Sequence, residues 1–359
     1  MRESKAIVLA DYHQLPQLVD VTIADPGPNE VLVRIKASGI CHTDIGYMRD
    51  ARQVPVLLGH EGAGVVEQIG ANVTHTRPGD HVAVNWQAKC YQCRWCLSDR
   101  TDLCEHVQST AAPRVFWKEE PLAIMLNAGT FCEYAVLPAG GAVPVRKDIP
   151  FEKAALLGCG VATGVGAALY TARVAAGEGV VVIGAGGVGL NIIQGARLAG
   201  ATPIIAVDIA EGSLQRADQF GASHLINSQK TEPLTAVREI TAGRGVEHVF
   251  EVIGQPALMA KGIEMLSRGG ALTLVGAAAR DAELTFAPRR FMSQQQRVQG
   301  CIYGNVHPAK DLPLFADWYV DGRLELDALH TATISLADVP KVFAGEGPPS
   351  AVRTVVRFS

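Results

Sequence analysis

The chain has 359 residues, more than one hydrophobic core commonly serves, so two domains are expected. Hydrophobic residues make up 48% and charged residues 19%, a balance that excludes a disordered chain. The net charge of −4, with basic residues scattered along the chain, excludes an electrostatic footprint for nucleic acid or anionic membrane and leaves a small molecule as the expected partner.

Met1 to His13 mixes Arg2, Glu3, Lys5 and Asp11 among short apolar runs and lacks the apolar core of a secretory signal, so a cytoplasmic protein is expected. From about Ser4 to Thr74, β-branched runs such as Val31–Ile35 and Gly62–Glu67 are broken by Pro-Gly and Gly-Asp pairs, the rhythm of an antiparallel β domain. Arg77–Val84 and Gly129–Leu137 continue that rhythm. Looped out between them, Cys90, Cys93, Cys96 and Cys104 stand as C-x2-C-x2-C-x7-C, the spacing of a closed structural zinc site. A zinc ribbon that binds nucleic acid or a partner is the rival reading of this lobe, with basic and aromatic residues such as Arg94 and Trp95 in its favour.

Ala154–Thr171 is uncharged but rich in Gly and Ala, which predicts a buried helix rather than a membrane span. Beyond Pro150 the pattern becomes apolar strand, glycine, helix, repeated. Strands are expected at Gly179–Gly184, Pro203–Asp208, Glu247–Gly254, Gly269–Gly276 and Arg297–Tyr303, as in a parallel doubly wound sheet. The run Gly184-Ala-Gly-Gly-Val-Gly189 follows the first of these strands and opens a helix over Gly187–Ala199. Gly184 permits the tight turn, Gly186 lets a pyrophosphate approach the backbone, and Gly189 allows close helix–sheet packing, with Gly187 and Val188 beginning the helix. Asp208, ending the second strand, suits an adenosine ribose and repels a 2′-phosphate, so NAD is expected over NADP. Residues 209–213 offer no Arg or Lys to hold such a phosphate, and Arg216 is read as solvated. The last stretch, Leu324–Ser359, ends in the alternating run Ala351–Phe358 and is expected to return to the first domain.

Cys41-His-Thr-Asp44, Gly59-His-Glu-Gly-Ala-Gly64 and Leu157-Gly-Cys-Gly-Val-Ala-Thr-Gly164 are too far apart for any spacing rule. In order and context they resemble the zinc-dependent alcohol dehydrogenases of the medium-chain dehydrogenase/reductase superfamily, and the resemblance covers the whole chain. It implies an α/β protein with a GroES-like antiparallel β catalytic domain over residues 1–155, carrying the structural-zinc lobe at about 85–128. A Rossmann domain with a doubly wound parallel sheet would span 156–303, and 304–359 would return to the catalytic domain.

The resemblance also implies roles. A catalytic zinc would be held by Cys41, His60 and Cys159, with Glu61 as a transient ligand, giving two zinc ions per subunit. Asp44 would orient His60, as metal-bound histidines require, and Thr43 would accept the alcohol proton. In the family a histidine three residues after that hydroxyl completes a proton relay; here Gly46 stands in its place, and water is expected to carry the proton. His42 and Arg353 would touch the cofactor pyrophosphate, while Thr163, Val188, Ile253, Val275 and Ala277 would line the nicotinamide. Trp86, Met125 and Leu126 would wall an apolar channel, favouring a primary aromatic or allylic alcohol over a polyol. The alternative is a mycothiol-type, thiol-adduct formaldehyde dehydrogenase, suggested by Asn85-Trp86 and Leu157–Gly160; a zinc- and nucleotide-binding protein without catalysis is the alternative from another class. Cys132 and Cys301 are left as ordinary buried thiols. A homodimer joined edge to edge through Val298–Tyr303 is expected.

Overall fold

The computed structural model describes residues 1–348 and 352–359, in two units: Met1–Cys159 with His307–Ser359, and Gly160–Val306. These boundaries fall a few residues beyond the expected ones at 155 and 303.

In the first unit the long strand Glu30–Gly39 organises one sheet. It pairs antiparallel with Glu61–Ile69, Tyr134–Pro138 and Arg353–Arg357. Its burial, nearly complete along both faces, explains the run of Val31, Leu32, Val33 and Ile35. A second sheet runs from Glu120–Pro121 through Val115–Trp117, Gln17–Ile23, Arg2–Leu9 and Val56–Leu57 to Ala123–Ile124. The unit is not wholly antiparallel. Val56–Leu57 with Ala123–Ile124 and His330–Ile334 with Arg353–Arg357 are parallel pairs. Ala351, the first residue of the expected last strand, lies outside the described residues.

The second unit carries a six-stranded sheet, parallel throughout, in the order His224–Asn227, Ile204–Asp208, Val180–Ile183, Val246–Glu251, Leu266–Leu274, Arg297–Gly300. Val181, Ile205, Val249 and Leu272 are buried between the covering helices, which is why these strands read as continuous apolar runs. The expected strand at Arg297 ends at Gly300, and Tyr303 belongs to a short 3-10 turn. The uncharged stretch lies in a helical run over Phe151–Thr171, long and apolar enough to cross a membrane but with 72% of its apolar window buried in the protein.

Candidate active site

The helix His42–Asp50 begins at Cys41, and Asp44 sits three residues on, where a carboxylate can reach back to the helix start. Asp44 is fully buried. Its Oδ2 accepts the Cys41 backbone N–H at 2.7 Å, and its Oδ1 lies 3.0 Å from His60 Nδ1. One carboxylate thus fixes the backbone of Cys41 and the ring of His60 together. The expected tie to His60 is present; the tie to Cys41 was missed, although an acid three residues past a helix start was its signal.

Cys159 comes from the helical run, within a wider π turn over Leu157–Val161, a distortion common at functional sites. Gly158 allows the approach there, since a Cβ on it would stand 2.4 Å from the Val84 carbonyl. These elements bring Cys41, His60, Glu61 and Cys159 together, with one donor atom of each within 4.8 Å of all the others. His60 Nε2 and Glu61 Oε1 are buried with no hydrogen-bond partner among the described residues. Orphaned donors of this kind, beside two thiols, fit a zinc ion with an open coordination position.

The charges there are strongly coupled. A hydrogen bond from Cys159 and the nearby His60 hold the Cys41 thiol well below the usual thiol range, while the same contact with Cys41, together with burial, pushes Cys159 well up. Burial opposes charging of His60, but the Asp44 carboxylate and Cys41 outweigh it and hold the ring well above its ordinary value. Burial pushes the Glu61 carboxyl up to about 7 even with Arg353 beside it. A metal would replace the shared protons, since its ligands bind deprotonated.

Arg353 has a partner that the sequence did not announce. Its guanidinium is 8% exposed and forms an ion pair with Glu61 Oε2, which places it behind the metal donors. The register explains why: Glu61 opposes Gly39 on one side of the Glu30–Gly39 strand, and the strand beginning at Arg353 pairs with the same end on the other side. Met125 departs from its expected place. It is 1% exposed and packs in the core with Ile7, Leu58 and Phe131; Leu126 is partly buried against the same cluster. Trp86 stands edge-on to His60, ring centroids 6.4 Å apart. Thr43 is exposed, with Oγ1 3.6 Å from Cys41 Sγ, and His42 beside it is exposed too. A Cβ at Gly46 would meet nothing within 4 Å among the described residues.

The four lobe cysteines also converge. Sγ–Sγ separations are 3.5 Å for Cys90–Cys104, 3.6 Å for Cys93–Cys96 and 3.9 Å for Cys90–Cys96. A tetrahedron of ~2.3 Å Zn–S bonds has edges of about 3.8 Å, so the lobe is shaped for zinc. The backbone N–H groups of Gln92 and Cys93 point at Cys90 Sγ, the pattern that stabilises thiolates. Of the remaining thiols, Cys132 is buried and pushed up to about 11 by that burial, whereas Cys301 is partly exposed.

In the second unit Gly184 has φ +102°, which L side chains rarely adopt, and a Cβ at Gly189 would lie 1.9 Å from the Gly184 carbonyl. A Cβ at Gly186 would meet nothing within 4 Å among the described residues, which leaves space open at the start of the helix Gly187–Leu198. Gly187 and Val188 open this helix, and the segment carrying Thr163 packs beside Val188 and Asn191. Asp208 accepts from the N–H groups of Ala185 and Ala210 at 2.8 and 2.9 Å. Ile253, Val275 and Ala277 follow the carboxyl ends of two neighbouring strands, and Ile253 lies against Gly184 with 46% of its surface exposed. The loops past the carboxyl ends of a parallel sheet are where such folds bind dinucleotides. Arg216 is not simply solvated: its Nε is buried without a partner among the described residues.

Residues 27–147 match the family model for the alcohol dehydrogenase GroES-like domain, and residues 187–320 that for the zinc-binding dehydrogenases. An S-(hydroxymethyl)glutathione dehydrogenase from Paracoccus denitrificans is 36% identical, with all of both chains covered. A class-3 alcohol dehydrogenase from Cereibacter sphaeroides is 34% identical over 99% of this chain and 100% of its own. Among solved structures, benzyl alcohol dehydrogenase from Acinetobacter calcoaceticus superposes with a TM-score of 0.92 at 29% identity, all of both chains covered.

Proposed function

This chain belongs to the zinc-dependent alcohol dehydrogenases of the medium-chain dehydrogenase/reductase superfamily, and from that premise we propose that it oxidises the hydroxymethyl group of a formaldehyde–thiol adduct. In that reaction RS–CH2–OH and NAD give the thioester RS–CHO, NADH and a proton. The convergence of Cys41, His60, Glu61 and Cys159 carries the reading as an alcohol-oxidising centre. Full-length relatives named for S-(hydroxymethyl)glutathione favour the adduct over the free aromatic alcohol expected first.

Cys41, His60 and Cys159 would hold the zinc, and the Gly184–Gly189 turn the cofactor pyrophosphate. Bound there, the ion supplies Lewis-acid polarisation of the alcohol oxygen and the nicotinamide supplies the hydride acceptor. Asp44 keeps His60 Nε2 free by occupying Nδ1. Arg353 ties one oxygen of Glu61, leaving the other to face the thiols. The exposed Thr43 hydroxyl would accept the alcohol proton as it passes its own to solvent, for which the space at Gly46 leaves room. Asp208, whose charge disfavours a 2′-phosphate, supports NAD.

A second reading, a primary aromatic alcohol, is favoured by one observation: the Trp86 ring standing against His60 gives a flat substrate an aromatic wall. NADH formation with formaldehyde alone, formaldehyde plus glutathione or mycothiol, and benzyl alcohol separates the readings. Turnover only with the thiol mixtures supports the adduct; turnover of benzyl alcohol without any thiol moves the substrate to the aromatic class. The outer strand Arg297–Gly300, at the end of its sheet, supports a homodimer joined there, and a monomer mass in sedimentation would contradict it.

A further inference from the structure

We propose that Glu251 is a positioning residue for the dinucleotide: one buried residue holds the two loops that follow Val246–Glu251 and Leu266–Leu274, and through them it sets how tightly the cofactor binds. That role rests on the reading of the Gly184–Gly189 turn as the cofactor's seat.

Glu251 ends its strand and is 0% exposed. A buried carboxylate is costly unless its oxygens accept hydrogen bonds. Here they accept from consecutive backbone N–H groups of the loop that follows. Oε1 takes those of Ile253 at 3.0 Å, Gly254 at 2.9 Å and Gln255 at 3.3 Å, and Oε2 takes that of Gly254 at 3.0 Å. Gln255 starts the helix Pro256–Met265 and supplies no side-chain cap of its own, so Glu251 also serves the helix start. A cap needs only the last of these bonds; those to Ile253 and Gly254 fix the loop ahead of the helix.

The main chain of the same residue holds the neighbouring loop. The Glu251 carbonyl accepts the N–H groups of Val275 and Gly276, both at 2.9 Å, just past the strand Leu266–Leu274. The two loops lie backbone against backbone: a Cβ on Gly276 would stand 2.2 Å from the Gly254 nitrogen, and one on Gly254 would stand 2.5 Å from the Ala277 carbonyl oxygen. Ile253 carries this arrangement to the glycine turn, since a Cβ on Gly184 would stand 2.9 Å from its Cγ1. Ile253 is nevertheless 46% exposed, so the hydrogen bonds of Glu251, more than burial of the isoleucine, fix this loop.

Glu251→Gln keeps the size of the side chain but sets an NH2 group where a second acceptor stood, and the charge-assisted bonds are lost. NADH binding to the zinc-loaded protein is read from nicotinamide fluorescence, and KM for NAD and for the alcohol from whichever of the thiol adduct and benzyl alcohol turns over. The variant is expected to bind NADH about tenfold more weakly, with a matching rise in KM for NAD. Turnover at saturating NAD and KM for the alcohol stay unchanged, the signature of lost cofactor binding. Val249→Ala, two residues back in the sheet's core, is the control: it should lower thermal stability and bind NADH as the wild type does. In the cofactor-free wild type, the amides of Ile253, Gly254 and Gln255 should be protected from hydrogen exchange. Exchange there at the rate of free loop amides overturns the proposal, as does unchanged NADH affinity in a folded Glu251→Gln protein or an equal loss in Val249→Ala. A wild type that binds no NADH overturns the cofactor reading itself, and this role with it.

Discussion

Asp44 and Arg353 show how single buried charges set the site. Asp44→Ala removes the bond that orients His60 and the bond that fixes Cys41. Loss of such an outer partner commonly weakens metal affinity about 10–100-fold. The variant is therefore expected to keep its lobe zinc and to lose the other under mild chelation, read as a fall from two zinc ions per chain toward one. Arg353→Met leaves the buried Glu61 carboxyl without its cation, so it is expected to take up a proton and to lower stability at neutral pH, which thermal unfolding would report. Adding Glu61→Gln to that variant should recover part of the stability; no recovery would mean that Arg353 acts through packing alone. Asp44 was legible only through the resemblance, which tied it to His60 and not to Cys41. Arg353 was not, because its partner lies 292 residues away and only strand register joins them. Met125 misled for a similar reason: an apolar residue near a channel reads the same in sequence whether it faces the channel or the core.

At the level of elements, glycine turns and cysteine spacing were legible because they serve local geometry. Gly184, Gly189 and the four lobe cysteines each do locally what their spacing announces. The short strand His224–Asn227 escaped notice because one of its four residues is buried, too little for an apolar run. The segment after His307 is tied down partly by Lys153, whose Nζ lies 2.9 Å from Asp327 and 3.3 Å from the Leu326 carbonyl. The Lys153 hydrogen bond holds the Asp327 carboxyl below its ordinary value of 3.8. A carboxyl depressed on folding stabilises the protein above its unfolded value, and that contribution is lost as pH falls through the lower folded value. Asp327 is 69% exposed, so solvent screening keeps the effect under about 1 kcal/mol. Lys153→Met should accordingly lower stability at neutral pH and flatten the decline between about pH 4 and pH 2. An equal decline in both proteins would show that the pair contributes nothing.

Across the whole molecule, the change of rhythm near Pro150 located the passage from β domain to parallel sheet, because strands buried on both faces cannot alternate apolar with polar residues. The exact boundaries were hidden, since one continuous helix runs through the first of them. The metal donors were legible only through resemblance: Cys41, His60 and Cys159 come from three separate segments, and nothing in their spacing links them. Measuring zinc content and NADH formation together in the wild type and in Cys159→Ser tests the central claim most directly. Two zinc ions per chain and active turnover are expected in the wild type, and about one zinc with activity reduced by at least about a hundredfold in the variant. A Cys159→Ser protein that keeps both its zinc content and its turnover would contradict it.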